Sequence, residues 1–215
     1  MTEIITTDPA LEELIASLAD NKYFLGRRYA EWCTAAPTLE SAVAAAAMAQ
    51  DEIGHARSFY PVLRDIAGAS PENDAETRSS WTTVPFLRTA FTGWTDFVAA
   101  NFLFDTAITT LLEAGIGSTF VPLAQRSRRI LEEEPLHWLH GEGWTRRLAR
   151  EGQAVRAALR DSFANVASQS LDWLDVANND LVSAQVLSAG SDELRRYFRD
   201  RINPVLASVD LPLVP

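Results

Sequence analysis

Lysine is almost missing from this 215-residue chain: of its 19 basic residues only Lys22 is a lysine, and the other 18 are arginine. Cysteine is as scarce. Cys33 stands alone, which excludes an internal disulfide, and the first thirty residues carry acids but no long apolar run, so a secreted protein is not expected. The expected compartment is the cytoplasm. The longest run of small apolar residues, 42–49, is far short of the roughly 20 a membrane span requires, so no membrane partner is expected. Positive charge is outweighed too. A net charge of -10 leaves no chain-wide basic surface, and nucleic acid is not an expected partner.

Strand signals are also nearly absent, whereas apolar residues recur at helical spacing through most of the chain. The expectation is a single all-α domain over 1–215. Breaks at 34–38, Gly68–Asp74 and Gly115–Pro122 divide it into four long helices, about 10–33, 39–67, 86–114 and 122–151. Their lengths are those of a four-helix bundle. Further helices near 153–176 and 191–202 would cover it, Pro135 would kink the fourth helix, with a plain break there the alternative, and Asn203-Pro204 would end helical order.

Two helices carry chemistry on their buried stripes. The second places Glu52 and His55 among Ala45, Met48, Phe59 and Val62; the fourth places Glu134 and His137 among Ile130, Gly141, Trp144 and Leu148. Both pairs read Glu-x-x-His, which puts carboxylate and imidazole on one helix face. Two unpartnered buried carboxylates would cost several kcal/mol, so compensating positive charge is required, and a metal supplies it. This is the arrangement of di-iron carboxylate bundles. The competing reading is a set of buried Glu and His bonded to one another and to arginine.

Such bundles place a carboxylate on each remaining helix, and hairpin geometry locates the positions. An antiparallel partner lies as far before the turn as the ligand lies after it. For Glu134 that selects Asp105, which shares a core stripe with Val98, Asn101, Ile108 and Leu112; Glu113 pairs past the turn. For Glu52 it selects Lys22, on the stripe Leu18, Lys22, Leu25, Tyr29. Glu31 lies on the opposite face and roughly 13 Å farther along the axis. It reads as a helix-end or interface residue. Asp51 and Glu133 precede the two ligand glutamates and would accept the other N–H of the opposite histidine, with plain surface acids the alternative; His140 reads as a rim residue.

The segments 31–40 (EWCTAAPTLE) and 49–57 (AQDEIGHAR) resemble the ferritin-like subunits of bacterial phenylacetyl-CoA 1,2-epoxidase, over roughly residues 10–150. That family pairs a catalytic subunit holding two irons with a homologous structural subunit that has lost its ligands. Residues 31–40 are similar to the structural subunit, while DEIGH, EEEPLH and Asp105 look like the catalytic one. By resemblance Glu52, His55, Asp105, Glu134 and His137 match five of six metal ligands, and the sixth, a glutamate, falls on Lys22. The implied cofactor is iron, or manganese, as two ions or as one if Lys22 takes the other half. Lys22 would act in the altered centre either as an ammonium or, deprotonated, as a nitrogen ligand.

Three functions follow from the resemblance. The first, an oxygen-activating monooxygenase or oxidase, would take an aromatic acyl-CoA in a pocket between helices, use an external reductase, and meet CoA phosphates with Arg126, Arg128, Arg129, Arg146, Arg147 and Arg150. The second is a metal-free partner subunit in a homo- or hetero-oligomer with a homologous helical subunit. The third is metal storage.

Overall fold

The computed structural model describes residues 8–67 and 73–215. Part of the loop expected at Gly68–Asp74, residues 68–72, lies outside the described residues. Among the described residues there are eight helices and no strand: α1 Pro9–Glu31, α2 Leu39–Ala67, α3 Trp94–Gly115, α4 Val121–Ile130, α5 Glu134–Leu148, α6 Gln153–Trp173, α7 Asn179–Ser183 and α8 Ser191–Ala207. The fold is an all-α ferritin-like bundle with extra helices.

Local chemistry explains the boundaries. Asp8 caps α1 by accepting the Ala10 N–H, with Pro9 in the first turn, where a missing N–H costs nothing. Thr38 Oγ1 accepts the Ser41 N–H at the start of α2. Next to Gly26, α1 and α2 come together closely: a Cβ there would sit 3.0 Å from the Ala49 carbonyl and 2.7 Å from an Ile53 side-chain carbon. Helix α3 is the central element and widens into a π-helical turn at Ala100–Phe104, directly before Asp105. By length and hydropathy α3 would also pass for a membrane span, which the reading of small apolar runs overlooked, yet 89% of its apolar 18-residue window is buried in the bundle.

Several expected boundaries differ. The fourth helix does not kink but breaks: Leu131–Glu133 form a turn, and Pro135 lies in the first turn of the new helix α5. The bonds Glu132 N–H to Arg129 O and Glu133 N–H to Ile130 O tighten the chain there, and Pro135 needs no donor where it sits. The third helix begins at Trp94, because Pro85–Arg88 is a separate 3-10 turn. Pro204 does not end α8, which runs on to Ala207. Only the last turn follows that proline, and Asn203 secures it by donating to the Val214 carbonyl and accepting its N–H.

The bundle's two layers are covered unequally. Helix α6 packs on α3, α8 packs on its C-terminal half, and Phe102 and Phe104 seat against Phe163 and Trp173 of α6. Over α1 the segment 78–84 is clasped by two consecutive buried side chains. Asp20 accepts from Arg78, Tyr60 and the Thr82 N–H, while Asn21 donates to Thr82 O and accepts from Val84 N–H. The third consecutive residue, Lys22, turns inward.

Candidate carboxylate and histidine centre

Lys22 is fully buried, and its ammonium reaches one carboxylate from each of three other helices: Glu52 Oε1 at 3.0 Å, Asp105 Oδ1 at 2.8 Å and Glu134 Oε1 at 2.9 Å. Three donors meet three acceptors. Burial alone would drive the proton from Lys22, but Asp105, Glu134 and Glu52 outweigh it and hold its pKa well above the ordinary lysine value. These contacts favour the charged form of Lys22, the first of the two options that the sequence left open.

The two Glu-x-x-His pairs meet across this cation. His137 Nδ1 lies 2.9 Å from Asp105 Oδ2 and 3.3 Å from Glu52 Oε1, and its Nε2 lies 3.3 Å from Asp51. Burial lowers its pKa, but the hydrogen bonds to Asp105 and Glu52 more than reverse this and lift it to about 11. His55 is held differently, with Nε2 2.7 Å from Glu133 while Nδ1 stands 3.9 Å from Glu52 Oε2, beyond hydrogen-bond reach. Burial opposes its charge and the Glu52 carboxylate favours it; the net effect is a raised pKa. The contacts expected for Asp51 and Glu133 are thus both made.

The carboxylates divide the cost of burial unevenly. Burial pushes Glu52 up, but Lys22 and the two histidines bring it well below the usual range. Burial and then the Asp105 charge raise Glu134 to about 7, with Lys22 opposing, and Thr109 donates to its second oxygen at 3.0 Å.

Glu52, Asp105, Glu134 and His137 form a buried group whose ligand atoms lie within 4.8 Å of one another, close enough to hold a metal ion. Two divalent ions do not fit. The Lys22 ammonium occupies the space shared by the three carboxylates, and it and His137 already supply the positive charge that the carboxylates require. Even one ion within that group would have to displace the ammonium or drive the proton from His137.

A cleft of 560 Å³ opens beside the centre, lined by Asn101, Asp105, Thr109, Glu134, Trp138 and Arg201 among others. Four of the six arginines expected to meet CoA have partners within the chain: Arg126 donates to Ser58 O and Pro122 O, Arg128 to Ile116 O, Arg146 to Glu142, and Arg147 lies over Trp144. Glu31 pairs with Arg28 at the end of α1, away from the centre. His140 Nδ1 lies 3.1 Å from Asn101 Oδ1 on the α5 side, and burial lowers its pKa to about 4.

Sequence reasoning missed Tyr29, whose fully buried hydroxyl has no hydrogen-bond partner and whose pKa burial and the Asp105 charge push far up. Its place on the Lys22 stripe was the available signal.

Fold and centre together define a ferritin-like carboxylate protein. The sequence profile of the phenylacetic acid catabolic protein family matches residues 2–214, and the chain belongs to that family. The match extends well beyond the 10–150 over which the resemblance was drawn. Among curated proteins the chain is 27% identical over 168 residues to the C component of the 1,2-phenylacetyl-CoA epoxidase of Escherichia coli (strain K12), covering 74% of this chain and 68% of that protein.

Proposed function

We propose that this chain is a cytoplasmic, metal-free partner subunit of a phenylacetyl-CoA epoxidase-type assembly, paired with a homologous helical subunit that carries the complete ligand set. The observation that carries this reading is Lys22 Nζ at hydrogen-bond distance from Glu52, Asp105 and Glu134. A metal in a carboxylate bundle ties helices together through the ligands each contributes. Here one ammonium on α1 ties α2, α3 and α5 in the same way. It also supplies charge without redox chemistry. The protein keeps the bundle shape and gives up the reactive ion.

The cleft beside Asp105 and Glu134 favours a second reading, an oxygen-activating subunit that takes an aromatic acyl-CoA and electrons from a reductase around one ion. The two separate cleanly. Purified chain incubated anaerobically with Fe(II) or Mn(II) is expected to hold no stoichiometric metal by elemental analysis. Mixed with the ligand-complete homologous subunit of its own organism, it is expected to form a stable complex with metal in that subunit only. Two irons per chain, or NAD(P)H-dependent oxygen uptake by this chain and a reductase with phenylacetyl-CoA, would overturn the proposal.

A further inference from the structure

A further cavity lies apart from the centre and its cleft. It measures 320 Å³ and is walled by Leu103 of α3, Phe163 and Ala167 of α6, Leu206 of α8, and Leu211 and Val214 of the tail that follows α8. All six are buried. A polar group set among them would go unsatisfied, so only an apolar body suits the depth. At about 30 Å³ per atom the cavity has room for roughly ten non-hydrogen atoms. Small-molecule sites share this size and this mostly apolar lining.

The tail is held in place as a wall. Asn203 binds Val214 through two hydrogen bonds, the Leu211 N–H donates to Leu206 O, and Arg156 donates to the Val209 and Asp210 carbonyls. Asp210 turns the chain there with a φ of 53°, a left-handed conformation that aspartate tolerates. On α6, Ala164 and Ser168 line the cavity with side chains too small to fill it. The hollow is preformed.

Charge selects the head group. The α6 residues that line the cavity run from Arg160 to Asp172, which lie about 18 Å apart along the helix axis. A molecule small enough for the cavity reaches only one of them. Arg160 is exposed and has no hydrogen-bond or ion-pair partner among the described residues. Arg156, one turn before it, adds a guanidinium that meets only the two tail carbonyls, and its Nε is buried without a partner. The Pro215 oxygen on the rim is bonded to Arg199. At the other end Asp172 also lines a polar groove with Glu13 and Asp175. A guanidinium at the mouth of an apolar hollow matches a carboxylate carried on an apolar body.

We infer that this cavity binds a small apolar monocarboxylate, its body between α6 and the tail and its carboxylate on Arg160. Neither the centre nor a partner subunit takes part, so the free chain suffices as the test material. Calorimetric titration with octanoate or 3-phenylpropanoate is expected to show one site with a Kd between about 10 µM and 1 mM. The tighter of the two tells whether the body is an acyl chain or an aromatic ring. Octanamide, the neutral counterpart, is expected to bind about 5-fold more weakly than octanoate, and Arg160→Gln to abolish that difference.

Ala164→Trp fills the hollow from an exposed position. It is expected to weaken both acids about 10-fold or more while the melting temperature of the free chain holds, whereas Ala158→Trp, outside the cavity, leaves binding unchanged. Hydrogen exchange is expected to slow across 160–171 and 206–214 when octanoate is added. No binding of either acid at about 10 mM, octanamide or octylammonium binding as tightly as octanoate, or undiminished binding by Ala164→Trp would overturn the inference. Loss of octanoate binding on assembly with a homologous subunit would make the occupant a side chain of that subunit, and would overturn it as well.

Discussion

The Glu-x-x-His of α2 and that of α5 are alike in sequence and opposite in electrostatics. In α2 the glutamate's pKa is held well below its usual range and its histidine turns outward to Glu133; in α5 the glutamate is raised to about 7 and its buried histidine to about 11. Spacing decides which face the groups share. Neighbours from the other helices decide their charge. Glu52 receives Lys22 and both histidines, whereas Glu134 shares Lys22 with Asp105, whose negative charge raises it.

Removing the shared cation tests this asymmetry most severely. Lys22→Met is expected to destabilise the fold by about 3–5 kcal/mol, because three buried carboxylates lose their common partner. Lys22→Glu would complete the six-ligand set that the family resemblance implies; it should leave the apoprotein similarly weak, while added Fe(II) or Mn(II) raises its melting temperature and occupancy. A Lys22→Glu protein that is indifferent to metal would show that the position is no ligand position.

The next largest effect separates the glutamates by pH. Glu52 has a depressed pKa, so its contribution is present above about 4.5 and is lost as pH falls through its folded value. Glu134 has the opposite sign: raised from 4.5 to about 7, it contributes most below 4.5, and that contribution is lost as pH rises through 7. His137 acts in the same sense at higher pH, its stabilisation complete below 6.5 and lost as pH rises through about 11. In urea unfolding at pH 7.5, Glu52→Gln should cost about 2–3 kcal/mol. Glu134→Gln should cost little there and flatten the fall in stability between pH 5 and 8.

The smallest difference lies at the rim. Glu133→Gln should destabilise more than Asp51→Asn, by about 1 kcal/mol or less, since Glu133 holds its histidine at 2.7 Å and Asp51 at 3.3 Å. Equal effects in thermal melts would remove the asymmetry at that level.

Much of the centre was legible before the structure. Helical stripes and the symmetry of two hairpins bring Lys22, Glu52, Asp105, Glu134 and His137 together because helix geometry is regular enough to extrapolate over a bundle's width. What stayed illegible depends on departures from that regularity. The π-helical turn at Ala100–Phe104 has no residue signature in ANFLF, and the break at Leu131–Glu133 leaves the apolar period almost in phase, so Pro135 reads as a kink. The direction of the Lys22 pKa shift was illegible as well, because it turns on a contest between burial and three charges whose distances only a structure gives.

Gly26 sets the scale for the whole centre. It lies one turn beyond Lys22 on α1, where the missing side chain lets the α2 backbone come in to the limit of contact. The Lys22 stem has a limited reach, and its tip meets three oxygens at that separation. A larger residue at 26 must push these neighbours aside, and the expected outcome is a hairpin wedged open and a weakened ammonium contact before a single charged group has been altered. The ion cage is therefore gauged by an uncharged position, and Gly26→Ala is a change in the spacing of charges made without touching one.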